Sequence, residues 1–326
     1  MITYFTPNDG RLERHVAEPG CGPIPLAAVW IDLLEPTGEE DARTEALVGI
    51  AVPTREEMLE IETSSRLYVE NGALYMTATL LCGIQEGRPG TTPVTFILAR
   101  NKLVTVRYDE PRSFPQTAGR MQRAGCHVVD GREAFLMLFE AVVDRTADIL
   151  EKIAADMDAL SRSVFGAGVT DRRGAPDFHE VIRSIGRQGM LTNRAQESLT
   201  TQARLLHFLG LHMDVIGFTT ADREAVLSMS RDVKSLNDHT TSLDAKINFL
   251  LDAVLGLVNL DQSAIVKIFS VLAVVFMPPT LIASIYGMNF QHMPELDWKY
   301  GYFVSLGLMV GSAALSYGLF RWKRWL

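Results

Sequence analysis

Oxygen-bearing side chains recur near the C-terminal end of the chain, at a spacing that places them on one face of a helix. Ser270, Thr280 and Ser284 precede the triplet Gly287-Met288-Asn289. Hydroxyl and amide oxygens are hard, neutral acceptors, which suit Mg2+ or its water shell better than a soft metal. Residues 262–294 contain no Asp or Glu, and a cation leaves a neutral ring more easily than a ring of carboxylates. The pattern predicts passage of a divalent cation, with the asparagine at the outer mouth.

These residues belong to a longer stripe of small or polar positions that advance by three or four along the chain. The spacing favours a pore lining over the alternative, close packing between helices, which small residues also permit. Two helices cannot enclose an aqueous path, so a pore would need several copies of the chain, each contributing one helix. The stripe comprises Asp252, Asn259, Gln262 or Ser263, Val266, Ser270, Ala273, Met277, Thr280 and Ser284.

Two apolar runs must position this stripe, about nineteen residues at 268–286 and about twenty-one at 300–320. Neither contains Asp, Glu, Lys or Arg, and a membrane-spanning helix needs about twenty apolar residues. We therefore predict two transmembrane helices, at about 266–286 and at 300–320, rather than buried helices of a soluble core. A loop at 287–299 joins them.

The end of the first span combines residues that disturb a helix. Pro278 and Pro279 remove two backbone donors, which frees carbonyl groups that water, a neighbouring helix or a cation can meet. Gly287 is expected to end the helix in the left-handed conformation. Both features place main-chain oxygens near the predicted path.

Charged residues beside the two runs predict the orientation of the chain. Basic residues stay on the cytoplasmic side of a membrane, so both termini are expected inside and the loop outside. There, Glu295 and Asp297 would raise the local cation concentration. The first ten residues lack the apolar core of a secretory signal, in agreement with a cytosolic N-terminal part. The basic residues are Lys267 before the first run and Arg321, Lys323 and Arg324 in the tail 321–326 after the second.

Composition narrows the class of partner and chemistry. The 326 residues carry a formal net charge of −8, which argues against nucleic acid, since phosphate binding needs clustered Lys and Arg. Three cysteines without CxxC spacing, Cys21, Cys82 and Cys126, suggest neither a disulfide framework nor a zinc site. No nucleophile motif or phosphate-binding loop is present, so we expect neither an enzyme nor an organic cofactor.

Residues 1–130 have the pattern of a mixed α/β domain. A strand is predicted at 27–33, and Asn71-Gly72 is a strong hairpin signal. A second hairpin is predicted around 99–102. Thr37 with Glu40, and Thr54 with Glu57, have capping-box spacing and can each open a helix.

The remaining upstream residues are predicted to be helical. Residues 131–220 form a helical hairpin, with helices at 132–165 and 177–209. A long stalk helix at 221–286 continues into the first span, and its apolar residues alternate by three and four as in a coiled coil. That seam comprises Val226, Met229, Val233, Leu236, Leu243, Ile247, Leu250, Val254 and Leu257, with Thr240 in the one gap.

Two motifs at one spacing give the chain a family resemblance. Tyr286-Gly287-Met288-Asn289, then Met293-Pro294-Glu295-Leu296, then a second span and a basic tail, resemble the CorA family of magnesium transporters. Residues 267–281 and the layout of an α/β domain, a helical hairpin and a stalk helix are also similar to that family. The resemblance covers the whole chain in layout and about the last sixty residues in motif.

The resemblance implies a homopentameric, funnel-shaped Mg2+ channel of the bacterial inner membrane that also passes Co2+ and sometimes Ni2+. Gly287, Met288 and Asn289 would form the outer selectivity ring. Thr280 and Met277 would line the pore, the methionine as part of an apolar constriction, and Asp252 would lie near the cytosolic entrance. The resemblance also implies that Lys267 and the basic tail surround the cytosolic mouth, and that cytosolic Mg2+ closes the channel at sites that cannot be assigned from the sequence.

Two departures and two alternatives accompany this interpretation. Gln291 and His292 stand where the family more often has an acidic and an aromatic residue, and the helical hairpin is less acidic than in some members. A zinc transporter of the related ZntB branch has the same architecture, and imidazole suits Zn2+, although the Gly-Met-Asn triplet argues against it. A membrane-anchored coiled-coil protein without a pore would leave Asn289 and Thr280 unexplained.

Overall fold

The computed structural model describes residues 1–8, 10–17, 23–60, 62–85, 87–126, 128–166, 177–288 and 298–323. The chain forms two compact units, Met1–Leu250 and Leu251–Leu326. The predicted architecture is present: an N-terminal α/β part, one long helix and a final apolar helix.

The first unit contains a seven-stranded sheet in the order β2-β1-β3-β7-β6-β5-β4. Neighbouring strands are antiparallel except β3 and β7, which are parallel. The predicted strand at 27–33 corresponds to β3, shifted toward its C-terminal end. The strands are β1 (Ile2–Asn8), β2 (Arg11–Ala17), β3 (Trp30–Leu34), β4 (Leu67–Glu70), β5 (Ala73–Cys82), β6 (Gly90–Ala99) and β7 (Lys102–Arg107).

Both predicted hairpins form, and their two-residue turns explain why. Asn71 and Gly72 join β4 to β5 with φ of 50° and 75°, and Arg100 and Asn101 join β6 to β7 with φ of 47° and 64°. Positive φ at both central positions is the geometry that matches the twist of a hairpin. A third hairpin, β1–β2, was not predicted, although Gly10 at its turn has φ of 76°.

Short helices cover one face of the sheet. They are α1 (Gly38–Val48), α2 (Arg55–Leu59) and α3 (Thr63–Arg66). Both predicted capping boxes are formed: the carboxylate of Glu40 accepts from the Thr37 amide at 2.9 Å, and that of Glu57 from the Thr54 amide at 2.8 Å. Tyr75 is buried on this side, and burial raises the pKa of its phenol to about 12.

The opposite face carries α4 (Ser113–Met121) and two long helices, α5 (Gly131–Phe165) and α6 (Phe178–Ile216). Phe96 of β6 meets Phe135 and Phe139 of α5 edge to face, with ring centroids 5.6 and 5.8 Å apart. Ser198 of α6 donates to the carbonyl of Thr79 in β5 at 2.7 Å. The predicted boundary near residue 130 therefore falls between elements that pack together in one unit.

The two long helices run antiparallel, as predicted. Gln202 of α6 donates to Thr146 of α5 at 3.4 Å, while Gln188, earlier in α6, donates to Asp156, later in α5, at 3.1 Å. The prediction that α6 ends at residue 209 is wrong. A glycine inside a helix costs only about 1 kcal/mol, so the helix continues through Gly210 and ends at Gly217, where φ is 72°.

Gly131 is where α5 meets the turn between β6 and β7. Its amide donates to the Asn101 carbonyl at 2.7 Å, and a Cβ atom there would lie 2.2 Å from the carbonyl carbon of Lys102. Because main chain cannot move aside as a flexible side chain does, we expect Gly131→Ala to cost about 2–3 kcal/mol of unfolding free energy. Thermal unfolding followed by circular dichroism would measure the loss.

The matched control is Gly186→Ala in α6. A Cβ atom at this position has no neighbour within 4 Å, so the same substitution should be neutral or slightly stabilising, because alanine favours a helix. Equal melting temperatures for both variants would contradict the close approach at Gly131.

A charged pair lies inside the first unit, between the parallel strands β3 and β7. Asp32 accepts from Nε and Nη2 of Arg107 at 3.0 and 2.8 Å, and from the hydroxyl of Thr105 at 2.7 Å. Both charged side chains are more than nine-tenths buried. Arg107 also donates to the Asp109 carbonyl at 2.8 Å and lies over the ring of Phe114. The pair thus satisfies its own hydrogen bonds away from water.

The long helix α7 (Thr220–Tyr286) begins in the first unit and continues into the second. Its predicted seam is the face that is buried, including Thr240 in the gap, while Leu236 and Leu257 are half-buried. Within the first unit, Lys246 of α7 pairs with Asp158 of α5, and Ile247 lies beside Gly189 of α6. The seam therefore packs against the helical pair up to Leu250.

The second unit contains the rest of α7 and the last helix, α8 (Gly301–Trp322). Each helix contains an 18-residue window that is long and apolar enough to cross a membrane, with mean hydropathy of 2.2 and 1.7. These windows are almost entirely exposed. Exposed apolar helices of this length suit a lipid environment.

Candidate ion pathway

Helix α7 carries the whole predicted stripe on one continuous element. Because a helix turns by 3.6 residues, steps of three and four keep the stripe on one side, and Ser270 and Ser284 lie about 21 Å apart along the axis. Met277 between them is 68% exposed. The side chains of the predicted pore-lining set are all exposed, namely Asp252, Ser270, Met277, Thr280 and Ser284.

A shallow groove marks the part of the stripe nearest the predicted cytosolic end. It brings Lys267 beside the stripe, and it places amide, hydroxyl and ammonium groups along one surface. The sequence left open whether Gln262 or Ser263 belongs to the stripe, and both line the groove. The groove is lined by Asn259, Gln262, Ser263, Val266, Lys267 and Ser270.

Two hydroxyl groups of the stripe have a defined orientation. Ser270 donates to the carbonyl of Val266 at 2.8 Å, and Thr280 donates to that of Phe276 at 2.7 Å. Each hydroxyl proton is therefore used within the helix, while the oxygen lone pairs stay available as acceptors. An acceptor is what the water shell of a cation requires.

The two prolines lie inside α7 without ending it. Counting four residues back from each missing donor, the carbonyls of Val274 and Val275 lose their helical partners. Helices in a membrane tolerate such carbonyls only where water, a side chain or a neighbouring helix satisfies them. Main-chain acceptors thus lie at the same level as Met277.

The helix ends beside Gly287, but this glycine does not have the predicted conformation. The φ angle of Gly287 is not positive, so the expectation of a left-handed cap is wrong. Its amide still donates to the Ala283 carbonyl at 2.9 Å, and the Met288 amide donates to Ile285 at 3.3 Å. The helix therefore tightens into a final short turn, and a Cβ atom on Gly287 would lie 3.1 Å from the Ala283 oxygen.

The remaining predicted site residues divide into two groups. Lys267, Arg321 and Lys323 are exposed at the ends of the apolar segments, and Met288 is 45% exposed. Asn289, Glu295, Asp297 and Arg324 lie outside the described residues, as do Gln291 and His292. Within the described ranges, no three residues among His, Cys, Asp and Glu come together as ligands for a metal ion.

Comparisons with a family model and with known proteins agree on one family. Residues 26–324 match the family model described as CorA-like Mg2+ transporter protein. The chain is 34% identical over 326 residues to the magnesium transport protein CorA of Haemophilus influenzae, covering all of both chains. It is also 34% identical over 329 residues to that of Escherichia coli K12, again covering both completely.

A solved structure has the same fold. The complete CorA magnesium transporter from Methanocaldococcus jannaschii matches with a TM-score of 0.77 at 19% identity, covering 100% of this chain and 99% of that one. At this identity the match supports the architecture, an α/β part followed by a long helix and two apolar C-terminal helices.

Proposed function

The chain belongs to the family of CorA-like Mg2+ transporter proteins, and we propose that it carries Mg2+ across a membrane through a path lined by α7. Its relatives are named as transport proteins, not enzymes. The observation that carries the proposal is the exposed stripe, which continues on one helix through an apolar span and ends beside Gly287 and Met288.

The path would form between copies of the chain. One α7 exposes the stripe on one side, and several copies must surround a water-filled space before an ion can cross. We propose a homopentamer, in which each copy contributes one α7. Light scattering of the detergent-solubilised protein would give the number of copies.

An ion would meet different chemistry at each level of this path. Gly287, Met288 and Asn289 would form the outer ring, which touches hydrated Mg2+ without removing its water. Thr280 and Ser284 would offer hydroxyl oxygens below it, and Met277 would narrow the path by an apolar constriction. Glu295 and Asp297 would attract cations outside.

The flux of ions would be controlled at the cytosolic end of the path. Asp252 and Ser270 would line the inner part of the path, while Lys267, Arg321, Lys323 and Arg324 would surround the mouth. A basic ring repels cations, so it would retard ions unless anions or a wider opening offset it. We propose that cytosolic Mg2+ closes the channel, and that both termini lie on the cytoplasmic side of a bacterial inner membrane.

We propose Mg2+ as the main ion, and Co2+ and Ni2+ as further ions that the chain carries. The names of the relatives favour Mg2+ over the Zn2+ of the ZntB branch. Uptake of Mg2+ and Zn2+ into liposomes that hold the purified chain would decide between them. Zn2+ uptake with no Mg2+ uptake would contradict the proposal, and uptake of neither would favour a membrane anchor.

Thr280→Val tests the hydroxyl of the pathway. Valine keeps the shape of threonine but has no oxygen, so we expect Mg2+ uptake to fall about three- to tenfold, the effect of losing roughly one hydrogen bond to the water shell. The initial rate of uptake into liposomes measures it.

Thr241→Val is the matched control. Thr241 is also exposed on α7 and also donates to the carbonyl four residues earlier, that of Asn237, at 3.2 Å. The two substitutions therefore remove the same kind of helical hydrogen bond, but Thr241 lies outside the proposed path. A similar loss of uptake in both variants would show that the hydroxyl acts through the helix and not on the ion.

A further inference from the structure

Two sulfur atoms lie close together in the first unit, at the start of α5. The thiol of Cys126 is 3.9 Å from the thioether sulfur of Met137. Both side chains are half-buried, so solvent can reach them. The main chain of Cys126 is held on both sides, because its amide donates to the Arg123 carbonyl at 3.3 Å and its carbonyl accepts from Val128 at 3.0 Å.

We propose that Cys126 and Met137 bind a soft cation, Cu+, at a site separate from the Mg2+ pathway. Thiolate and thioether sulfurs are the ligands that select Cu+ over hard ions such as Mg2+. With metal–sulfur bonds of roughly 2.3 Å, as in other thiolate sites, the separation of 3.9 Å gives a sulfur–metal–sulfur angle of about 115°. That angle is close to trigonal, and it leaves a third position for water or a small ligand.

The neighbouring surface favours a positive ion. Met137 lines a groove between α5 and α7, and the groove contains no Lys or Arg among its lining residues. Clustered carboxylates in a cleft raise the local concentration of cations. The carboxylates that line the groove are Glu133, Glu140, Asp144 and Asp232.

Binding requires only an exchange of a proton for the metal. The Cys126 thiol releases its proton to water as the Cu–S bond forms, and the Met137 sulfur donates a lone pair. No electron is transferred, so no oxidant or reductant takes part in the step.

The test is competition for Cu+ between the full-length protein in detergent and the chromogenic chelator bicinchoninate, under anaerobic conditions. We expect the wild type to hold one Cu+ per chain more than Cys126→Ser. Met137→Leu removes the second sulfur at similar volume, and it should weaken binding at least about tenfold. The matched control is Cys82→Ser, because Cys82 is buried and its thiol contacts Asp109 at 3.3 Å.

Either of two results would overturn the site. If the Cys126→Ser variant binds Cu+ as tightly as the wild type does, the metal lies elsewhere in the chain. Met137→Leu with unchanged affinity would show a single reactive thiol instead of a two-sulfur site. Loss of Cu+ in both variants, with Cys82→Ser unchanged, supports the pair.

Discussion

Asn289→Ala will lower the initial rate of Mg2+ uptake by at least about tenfold while the protein still folds and assembles. An amide oxygen that accepts from the water shell of the ion is worth roughly 1 kcal/mol, and 1.4 kcal/mol is a tenfold change in rate. Since every copy would lose its amide at once, the effects of several copies combine at one ring. Alanine offers no acceptor that could replace them.

Uptake into liposomes loaded with a Mg2+-sensitive dye measures this effect. The matched control is Asn248→Ala, which makes the same substitution at an exposed position of α7 outside the proposed path. Size-exclusion profiles of both variants should equal that of the wild type. Normal Mg2+ uptake by Asn289→Ala would remove the asparagine from the selectivity ring, although the family membership of the chain would stand.

A second variant separates binding from conduction. Asn289→Asp keeps the size of the side chain and adds a charge, so a ring of carboxylates would hold Mg2+ more tightly than a ring of amides. A tightly held ion leaves slowly. We therefore expect stronger Mg2+ binding together with slower uptake, a combination that a merely structural role of Asn289 would not produce.

Asp32→Ala will destabilise the first unit by about 3–5 kcal/mol, the usual cost of leaving one member of a buried ion pair without its partner. Arg107 is more than nine-tenths buried and donates to both oxygens of Asp32. Without the aspartate, the guanidinium would keep its charge in a place that water reaches poorly. Urea unfolding of the full-length protein, followed by tryptophan fluorescence, would show the loss.

Trp30 is the tryptophan of the first unit, while Trp298, Trp322 and Trp325 belong to the second. Its indole donates to Thr105 at 3.0 Å, and Thr105 in turn donates to Asp32, so the fluorescence of this ring should respond to the pair. Arg223→Gln is the control, since its exposed pairing with Asp214 should contribute far less.

The double variant Asp32→Asn with Arg107→Met tests the reason for the loss. It removes both charges at similar volume, and the asparagine oxygen can still accept from Thr105. We expect it to be more stable than either Asp32→Ala or Arg107→Met alone, because neither charge is then left unpaired. A double variant as unstable as the worse single one would mean that packing, not charge, dominates at this position.

Local signals in the sequence were enough to predict many elements of this protein. The turn at Asn71-Gly72 has the positive φ angles that these two residue types favour. The capping boxes at Thr37 and Thr54 form within four residues. The apolar spans follow from the length of the two apolar runs. The buried face of α7 follows from the spacing of its apolar residues.

Other features depend on residues far apart in the chain, and only the tertiary structure decided them. Asp32 and Arg107 meet because β3 and β7 are parallel neighbours, and each residue alone looks like an ordinary charged position. The extension of α6 to Gly217 depends on burial of Met213 beyond Gly210. Local propensity is small beside such packing, so it predicted the wrong end for α6.

The sequence by itself therefore determined the class of this protein: an α/β part, a long helix, two apolar spans and a Gly-Met-Asn triplet that carries the family resemblance. The tertiary structure decided which surfaces remain free, since burial depends on neighbours that no local pattern specifies. It placed Cys126 beside Met137, eleven positions further along the chain. Residue types and their spacing determine local structure, whereas contacts between side chains far apart in the sequence depend on packing across the fold.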